Sequence, residues 1–141
     1  MQFVRFKQKD GLVAHGILEG TQILEVEGSI FTEFSKAGQK YELDEVKLLT
    51  PCEPSKIVCV GMNFIEHIRE INREVPKEPA HFMKPPSSII NPGENIVYPR
   101  VAQQVDYEGE MGLIIKDTIY DITPEEVPEH VLGVMPFNDV T

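Results

Sequence analysis

The stretch Asp106, Tyr107, Glu108, Gly109, Glu110, Met111, Gly112, Leu113, Ile114, Ile115 opens acidic and closes aliphatic. In a β-strand, side chains alternate faces, so Asp106, Glu108 and Glu110 share one side with neighbours roughly 7 Å apart. A row of three carboxylates repels itself unless it is solvated, hydrogen-bonded or bridged by a cation, and a hard divalent ion with oxygen ligands meets that need. The spacing points to Glu108 and Glu110 as metal ligands; the competing reading is the wet outer face of an antiparallel strand. Gly109 removes a side chain where the backbone can approach something closely. A second pair, His67 and Glu70, is separated by three and therefore adjacent if that segment is helical. There the carboxylate can fix the imidazole tautomer and raise its basicity, giving a general base for water, or the two can form an exposed ion pair. Lys84 stands among Phe82, Pro85 and Pro86, where it can meet a substrate carboxylate or simply be solvated.

The elements that must hold these groups follow from periodicity and punctuation. Residues 2–6 alternate, Lys9, Asp10 and Gly11 make a turn, Leu12 to Leu18 resume an extended pattern, and Ile23 to Val26 add a third strand. Gly28 breaks that strand, and Ile30 to Ala37 predicts a short helix ending at Gly38. Pro51 and Pro54 suit an extended connector, placing a domain boundary near Pro54. Ile57 to Val60 is a continuous apolar run fitting a buried strand ended by Gly61. A helix is predicted to follow, capped by Asn63 with Glu66 at capping-box spacing and with Phe64, Ile65, Ile68, Ile71 and Val75 on its apolar face. Val75 to Pro86 predicts an extended surface loop, Asn91 to Glu94 a turn, and Ile96 to Tyr98 a short strand leading to the acidic one. Thr123, Pro124 and Glu126 place a cap, a first-turn proline and a capping glutamate in register for a short helix starting at Pro124. Val131 to Phe137 is apolar and extended, with Pro136 pointing to an edge or a bulge.

Bulk properties narrow the partners. The chain has 141 residues, 41% of them hydrophobic, enough for one ordinary domain or a small domain and part of a larger one. No apolar run has the length of a membrane span, and residues 1–6 lack the layout of a secretory signal, so the expected compartment is the cytoplasm with no membrane partner. A formal charge of −10 leaves no basic stripe for nucleic acid, so no nucleic-acid partner is expected. Cys52 and Cys59 are too few for a disulfide framework and receive no catalytic role.

The ordered blocks Ile57 to Gly61, Asn63, His67, Glu70; then Phe82, Lys84, Pro85; then Asp106 to Glu110; then Asn138, Asp139, Val140, Thr141 resemble the fumarylacetoacetate hydrolase family over residues 55–141. Residues 1–54 are similar to the small N-terminal domain of members labelled 2-hydroxyhepta-2,4-diene-1,7-dioate isomerases. The resemblance implies a mainly β fold with short helices (α+β): a mixed β-roll catalytic domain over 55–141, incomplete, preceded by a small β-rich domain over 1–54. It implies Glu108, Glu110 and Asp139 as ligands of Mg²⁺ or Mn²⁺, His67 and Glu70 as the water-activating dyad, and Lys84 near the substrate. It further implies a 2-oxo acid substrate, with C–C hydrolysis of an acylpyruvate-like compound, or decarboxylation of an oxaloacetate-like acid, or isomerisation, and a homodimeric assembly. Phe64 departs from the tyrosine common before the dyad. The family's Arg-Asp pair, a substrate-site lysine and most of the remaining β-roll have no counterpart in this chain. A strand followed at once by Thr141 leads to the expectation of a truncated chain, aggregation-prone or dimerised through the exposed edge, and a noncatalytic fragment is the competing reading.

Overall fold

The computed structural model describes residues 1–141, the side chain of residue 37 excepted. The fold is mostly β with a few short helices. It groups into two compact units, Met1–Cys52 with Pro92–Thr141, and Glu53–Asn91.

In the first unit, β1 (Phe3–Lys7), β2 (Val13–Glu19), β3 (Gln22–Gly28), β4 (Phe34–Glu42) and β5 (Lys47–Leu49) form one antiparallel sheet in the order β4-β3-β2-β1-β5. The register Val4↔Gly16↔Glu25 puts Gly16 between Phe6 and Ile23, both fully buried, and a Cβ at Gly16 would collide with Ile23 Cγ2 while lying 3.1 Å from Phe6 Cε1. Gly16 is therefore the gap into which those two side chains pack. On the other face, Ile17, Val26 and Ile30 form a core joined by Phe3, Phe31, Phe34 and Leu132. The rings of Phe3 and Phe34 meet edge to face at 5.3 Å.

The helix predicted over 30–37 is not formed. Gly28 (φ +95°) turns the chain, Ser29 N–H donates to the Glu33 carbonyl at 2.9 Å, and β4 begins at Phe34. A tight loop lets β4 pair with β3 over its length, and that ladder overrides the local helical preference. The strand expected at Ile96 to Tyr98 is likewise absent: the segment is irregular and its side chains are exposed. The later hairpin is β8 (Gly109–Ile115) against β9 (Val131–Asn138), joined through the short helix α2 (Val127–His130). That helix starts three residues beyond the predicted Pro124, although Thr123 N–H does donate to Glu126 Oε2 at 2.8 Å as the cap pattern requires. A register shift after Ile114↔Gly133 leaves Leu132 as an extra residue, and this bulge directs Leu132 to the Ile17, Val26, Ile30 cluster. Pro136 pairs with Met111 in a two-stranded sheet, where it needs no second ladder partner.

The second unit is a hairpin of β6 (Ile57–Gly61) and β7 (Ala80–Lys84), with α1 (Ile65–Glu70) between them in sequence. Residues 80–84, expected as part of a loop, are a strand: Pro79 and Pro85 flank the segment without interrupting it, and all five residues pair with β6. The β6 run is not buried as predicted. It alternates, with Val58 58% and Val60 43% exposed.

Candidate active site

Five side chains stand out by type and spacing and Asp139 by the family resemblance, and the fold divides the six between the two units. His67, Glu70 and Lys84 belong to the second. Gly61 ends β6, and Met62 takes a positive φ of 53°, unusual for a long side chain, before the backbone turns into α1. The predicted capping box does not form: Phe64, extended at φ −104° and ψ 120°, is the N-cap and no side chain caps the helix. The helix also ends earlier than expected, at Glu70, so Ile71 and Val75 lie beyond it and Ile68 alone is buried. Within this single turn and a half, His67 Nδ1 and Glu70 Oε2 approach to 3.4 Å, both exposed. Glu70 thus faces the δ nitrogen; because a carboxylate only accepts, a hydrogen bond here requires the Nδ1–H tautomer, in which Nε2 is the ring atom able to accept a proton. Lys84 closes β7 opposite Ile57, half-buried.

Glu108, Glu110 and Asp139 belong to the first unit and to one hairpin. Regular pairing begins at Gly109↔Asn138, three residues later than the acidic stretch itself, but the hydrogen bonds continue past it. Asp139 N–H donates to the Glu108 carbonyl at 2.9 Å, and Asp106 and Thr141 exchange both backbone bonds at 2.7 and 3.1 Å. This register sets Glu108 across from Asp139, so Glu108, Glu110 and Asp139 share a face. The same face carries Gly112, Met135 and Phe137: a Cβ on Gly112 would lie 3.1 Å from Met135 Cγ and 3.5 Å from Phe137 Cβ. Burial is graded along it, Asp139 being 5% exposed, Glu110 half-buried and Glu108 exposed.

Three carboxylates are the donor set that a hard divalent cation prefers, and the hairpin supplies them from two strands on one side. Their kind and their face fit Mg²⁺ or Mn²⁺. Their side chains are not gathered around one point: among the described residues no three His, Cys, Asp or Glu groups converge as a metal centre requires.

Two features were not visible in the spacing. His130 Nδ1 lies 2.6 Å from Asp117 Oδ1, and the His130 carbonyl accepts from Lys116 N–H at 3.0 Å, closing the base of the connection between β8 and β9. Asn138 Oδ1 accepts from Glu108 N–H at 3.1 Å. The Asn138 side chain belonged to a recognised block, yet only the hydrogen-bond pattern shows what it touches. Burial pushes the Cys52 thiol up, a change only partly opposed by Arg5, which is the wrong direction for a nucleophile.

A small antiparallel sheet followed by short hairpins, one presenting carboxylates on a single face and another carrying a His-Glu pair, defines a mostly β protein with a few short helices. Residues 56–141 match the family described as fumarylacetoacetate (FAA) hydrolase C-terminal, and residues 1–51 match the one described as Rv2993c-like, N-terminal. The chain belongs to the fumarylacetoacetate hydrolase family. The structure superposes on a 5-carboxymethyl-2-hydroxymuconate delta-isomerase from Mycobacterium smegmatis with a TM-score of 0.88 at 31% identity, covering all of this chain and 55% of that one. A fumarylacetoacetate hydrolase from Exiguobacterium antarcticum gives 0.78 at 33% identity, covering all of this chain and 56% of that one. In sequence, the human mitochondrial oxaloacetate tautomerase FAHD2A is 41% identical over 98 residues, 69% of this chain and 31% of the relative. The chain spans about half the length of the first curated relatives it matches, 50% and 51%.

Proposed function

We propose that this chain carries the cation-binding and water-activating parts of an enzyme that hydrolyses a C–C bond in acylpyruvate-like 2-oxo acids, with residues 55–141 as the catalytic portion and 1–54 as an accessory β domain. The observation that carries the reading is the placement of Glu108, Glu110 and Asp139 on one face of the β8–β9 hairpin. These three residues would hold Mg²⁺ or Mn²⁺. When bound, the ion would supply Lewis-acid chemistry to the carbonyl of a 2-oxo acid. Glu70 fixes the imidazole of His67 through Nδ1, and His67 Nε2 takes the proton from the attacking water. Lys84 supplies a cation for a substrate carboxylate. His67 and Glu70 favour hydrolysis over decarboxylation because only hydrolysis needs a base for an attacking water.

A second reading rests on the names of the relatives. An oxaloacetate tautomerase and a muconate isomerase resemble this chain as well as the hydrolase does, and both names describe proton relocation without cleavage. In that case His67 would move a proton between carbon and oxygen of the substrate rather than from water. Incubating the intact protein and Mn²⁺ with an acylpyruvate and with oxaloacetate separates the two. The hydrolase reading predicts two shorter acids from the acylpyruvate; accelerated keto–enol exchange of oxaloacetate with no cleavage product from either compound would replace it with the tautomerase reading. Calorimetry gives the independent check on the donors: Mn²⁺ binding should be lost in Glu110→Ala, and equal affinity in the two proteins would remove these carboxylates from the site.

A further inference from the structure

The end of the β8–β9 hairpin departs from a regular ladder at the pair that holds two of the three carboxylates. In an antiparallel sheet, hydrogen-bonded pairs exchange both backbone bonds and recur at every second residue. Asp106 and Thr141 do so, at 2.7 and 3.1 Å. Two residues along, Glu108 and Asp139 should do the same, and Asp139 N–H does donate to the Glu108 carbonyl at 2.9 Å. The return bond is missing. Glu108 N–H donates instead to Asn138 Oδ1 at 3.1 Å, and the Asp139 carbonyl accepts from Thr141 Oγ1 at 3.3 Å. One ladder bond has been exchanged for a side-chain bond from the neighbouring residue, while pairing on both sides stays in register.

From this we infer that Asn138 is a positioning residue for the cation site: its side-chain amide fixes the backbone of Glu108 opposite Asp139 and sets the separation of those two carboxylates. The inference rests on the reading of Glu108, Glu110 and Asp139 as cation ligands. An ordinary backbone bond would hold the Glu108 and Asp139 main chains at the fixed spacing of a hydrogen-bonded pair. The Asn138 side chain takes over one of the two bonds of this pair, so the Glu108 amide keeps a partner while the Asp139 N–H bond to the Glu108 carbonyl keeps the two residues opposite each other. The carboxylates are not gathered around one point in this structure, so the backbone separation held by this pair sets how far the Glu108 and Asp139 side chains must reach to share an ion. Asparagine suits the position because Oδ1 accepts the bond without adding a fifth negative charge beside Asp106, Glu108, Glu110 and Asp139.

The test compares Asn138→Leu, similar in volume but without an acceptor, with Asn138→Asp, which keeps one, and with Glu110→Ala as the ligand control. Mn²⁺ alone is titrated by calorimetry, and exchange of the Glu108 amide is followed by NMR in the metal-free protein. Supporting residues behind metal ligands typically change affinity by 10-fold to 100-fold, and for this solvent-exposed bond about 10-fold weaker Mn²⁺ binding is expected in Asn138→Leu. The Glu108 amide should exchange faster in that variant, while Asn138→Asp, which keeps an acceptor, retains its slow exchange. A merely structural role would lower the melting temperature of Asn138→Leu without moving the Mn²⁺ affinity, and that result would overturn the inference. Should the leucine variant not fold, Asn138→Ala is read in the same way, and a Glu108 amide that exchanges at the free-peptide rate in the wild type is also fatal. If Asn138→Leu and Glu110→Ala both bind Mn²⁺ as the wild type does, the cation reading itself has failed and this inference falls with it.

Discussion

Replacing His67 with alanine separates a catalytic pair from a decorative one, because the structure makes the two effects very different in size. His67 and Glu70 are 58% and 78% exposed in their side chains, and their contact of 3.4 Å is long for a hydrogen bond. An exposed pair of this spacing on a helix contributes about 0.2–0.5 kcal/mol. Alanine is the better helix former by up to roughly 0.7 kcal/mol, so gain and loss nearly cancel and the melting temperature of His67→Ala should stay within about 3 °C of the wild type. If Nε2 takes the proton from water, its removal should slow hydrolysis by roughly 10²-fold to 10⁴-fold. That corresponds to about 2.7–5.4 kcal/mol of barrier at 1.36 kcal/mol per decade. Glu70→Ala removes only the group that fixes the tautomer and should cost less than His67→Ala. The assay is the rate of acylpyruvate cleavage at saturating Mn²⁺, run beside Mn²⁺ calorimetry, since His67 lies outside the carboxylate set and metal affinity should be nearly unchanged. Full hydrolytic rates in both variants would refute the argument and move the water-activating group elsewhere.

Further outcomes follow from the fold. Gly16→Ala forces a Cβ into Ile23, with the Leu24 carbonyl 3.0 Å away, and should destabilise the protein by about 1–3 kcal/mol in denaturant unfolding, whereas the same change at the open position Gly109 should not overpack anything. The backbone N–H of Thr123 holds the Glu126 carboxyl below its ordinary value of 4.5. A depressed carboxylate stabilises the folded state above the unfolded value and loses that contribution as pH falls through the folded one, so Glu126→Gln should flatten the acid side of the melting curve against pH, and an NMR titration placing Glu126 at or above 4.5 would contradict this. Met111, Leu113 and Val134 are 70%, 50% and 66% exposed on the outer face of the β8–β9 hairpin. We expect self-association through apolar surface there, read as a dimer by light scattering; Leu113→Lys should shift it toward monomer, and a concentration-independent monomer in the wild type would count against the homodimer.

The parts of this fold that were legible in the sequence are those where local pattern and tertiary pairing agree. Residues 2–6 alternate, 12–18 and 23–26 read as extended, and each falls within or beside a strand of the N-terminal sheet. The failures have a common cause. In β4, Phe34–Glu42, lysine, glycine and glutamine dilute the alternation, and only pairing with β3 makes the segment extended. In β7, prolines on both sides suggested a loop, but a proline at each end limits a strand without preventing one. Asn63 had the right spacing to cap α1, yet the positive φ at Met62 redirects the chain, and Phe64 becomes the N-cap.

The site shows the same division more sharply. Glu108 lies just before β8 and Glu110 within it, and His67 and Glu70 lie within α1, so a local repeat of two or three residues is enough to place each pair on one side. Asp139 comes from a different strand, and no periodicity links it to Glu108; only the resemblance singled it out, and the antiparallel register puts it opposite. Asn138 was harder still. Its effect is to replace a single backbone bond to a residue 30 positions away, and that substitution has no signature in composition or spacing. Spacing therefore reports which groups can share a face, whereas the separation of groups on that face depends on bonds made by residues without chemistry of their own. For a cation held by carboxylates from two strands, that separation determines whether the donors can converge, so the determinants of affinity here should extend beyond the acidic residues to Asn138, which links their backbones.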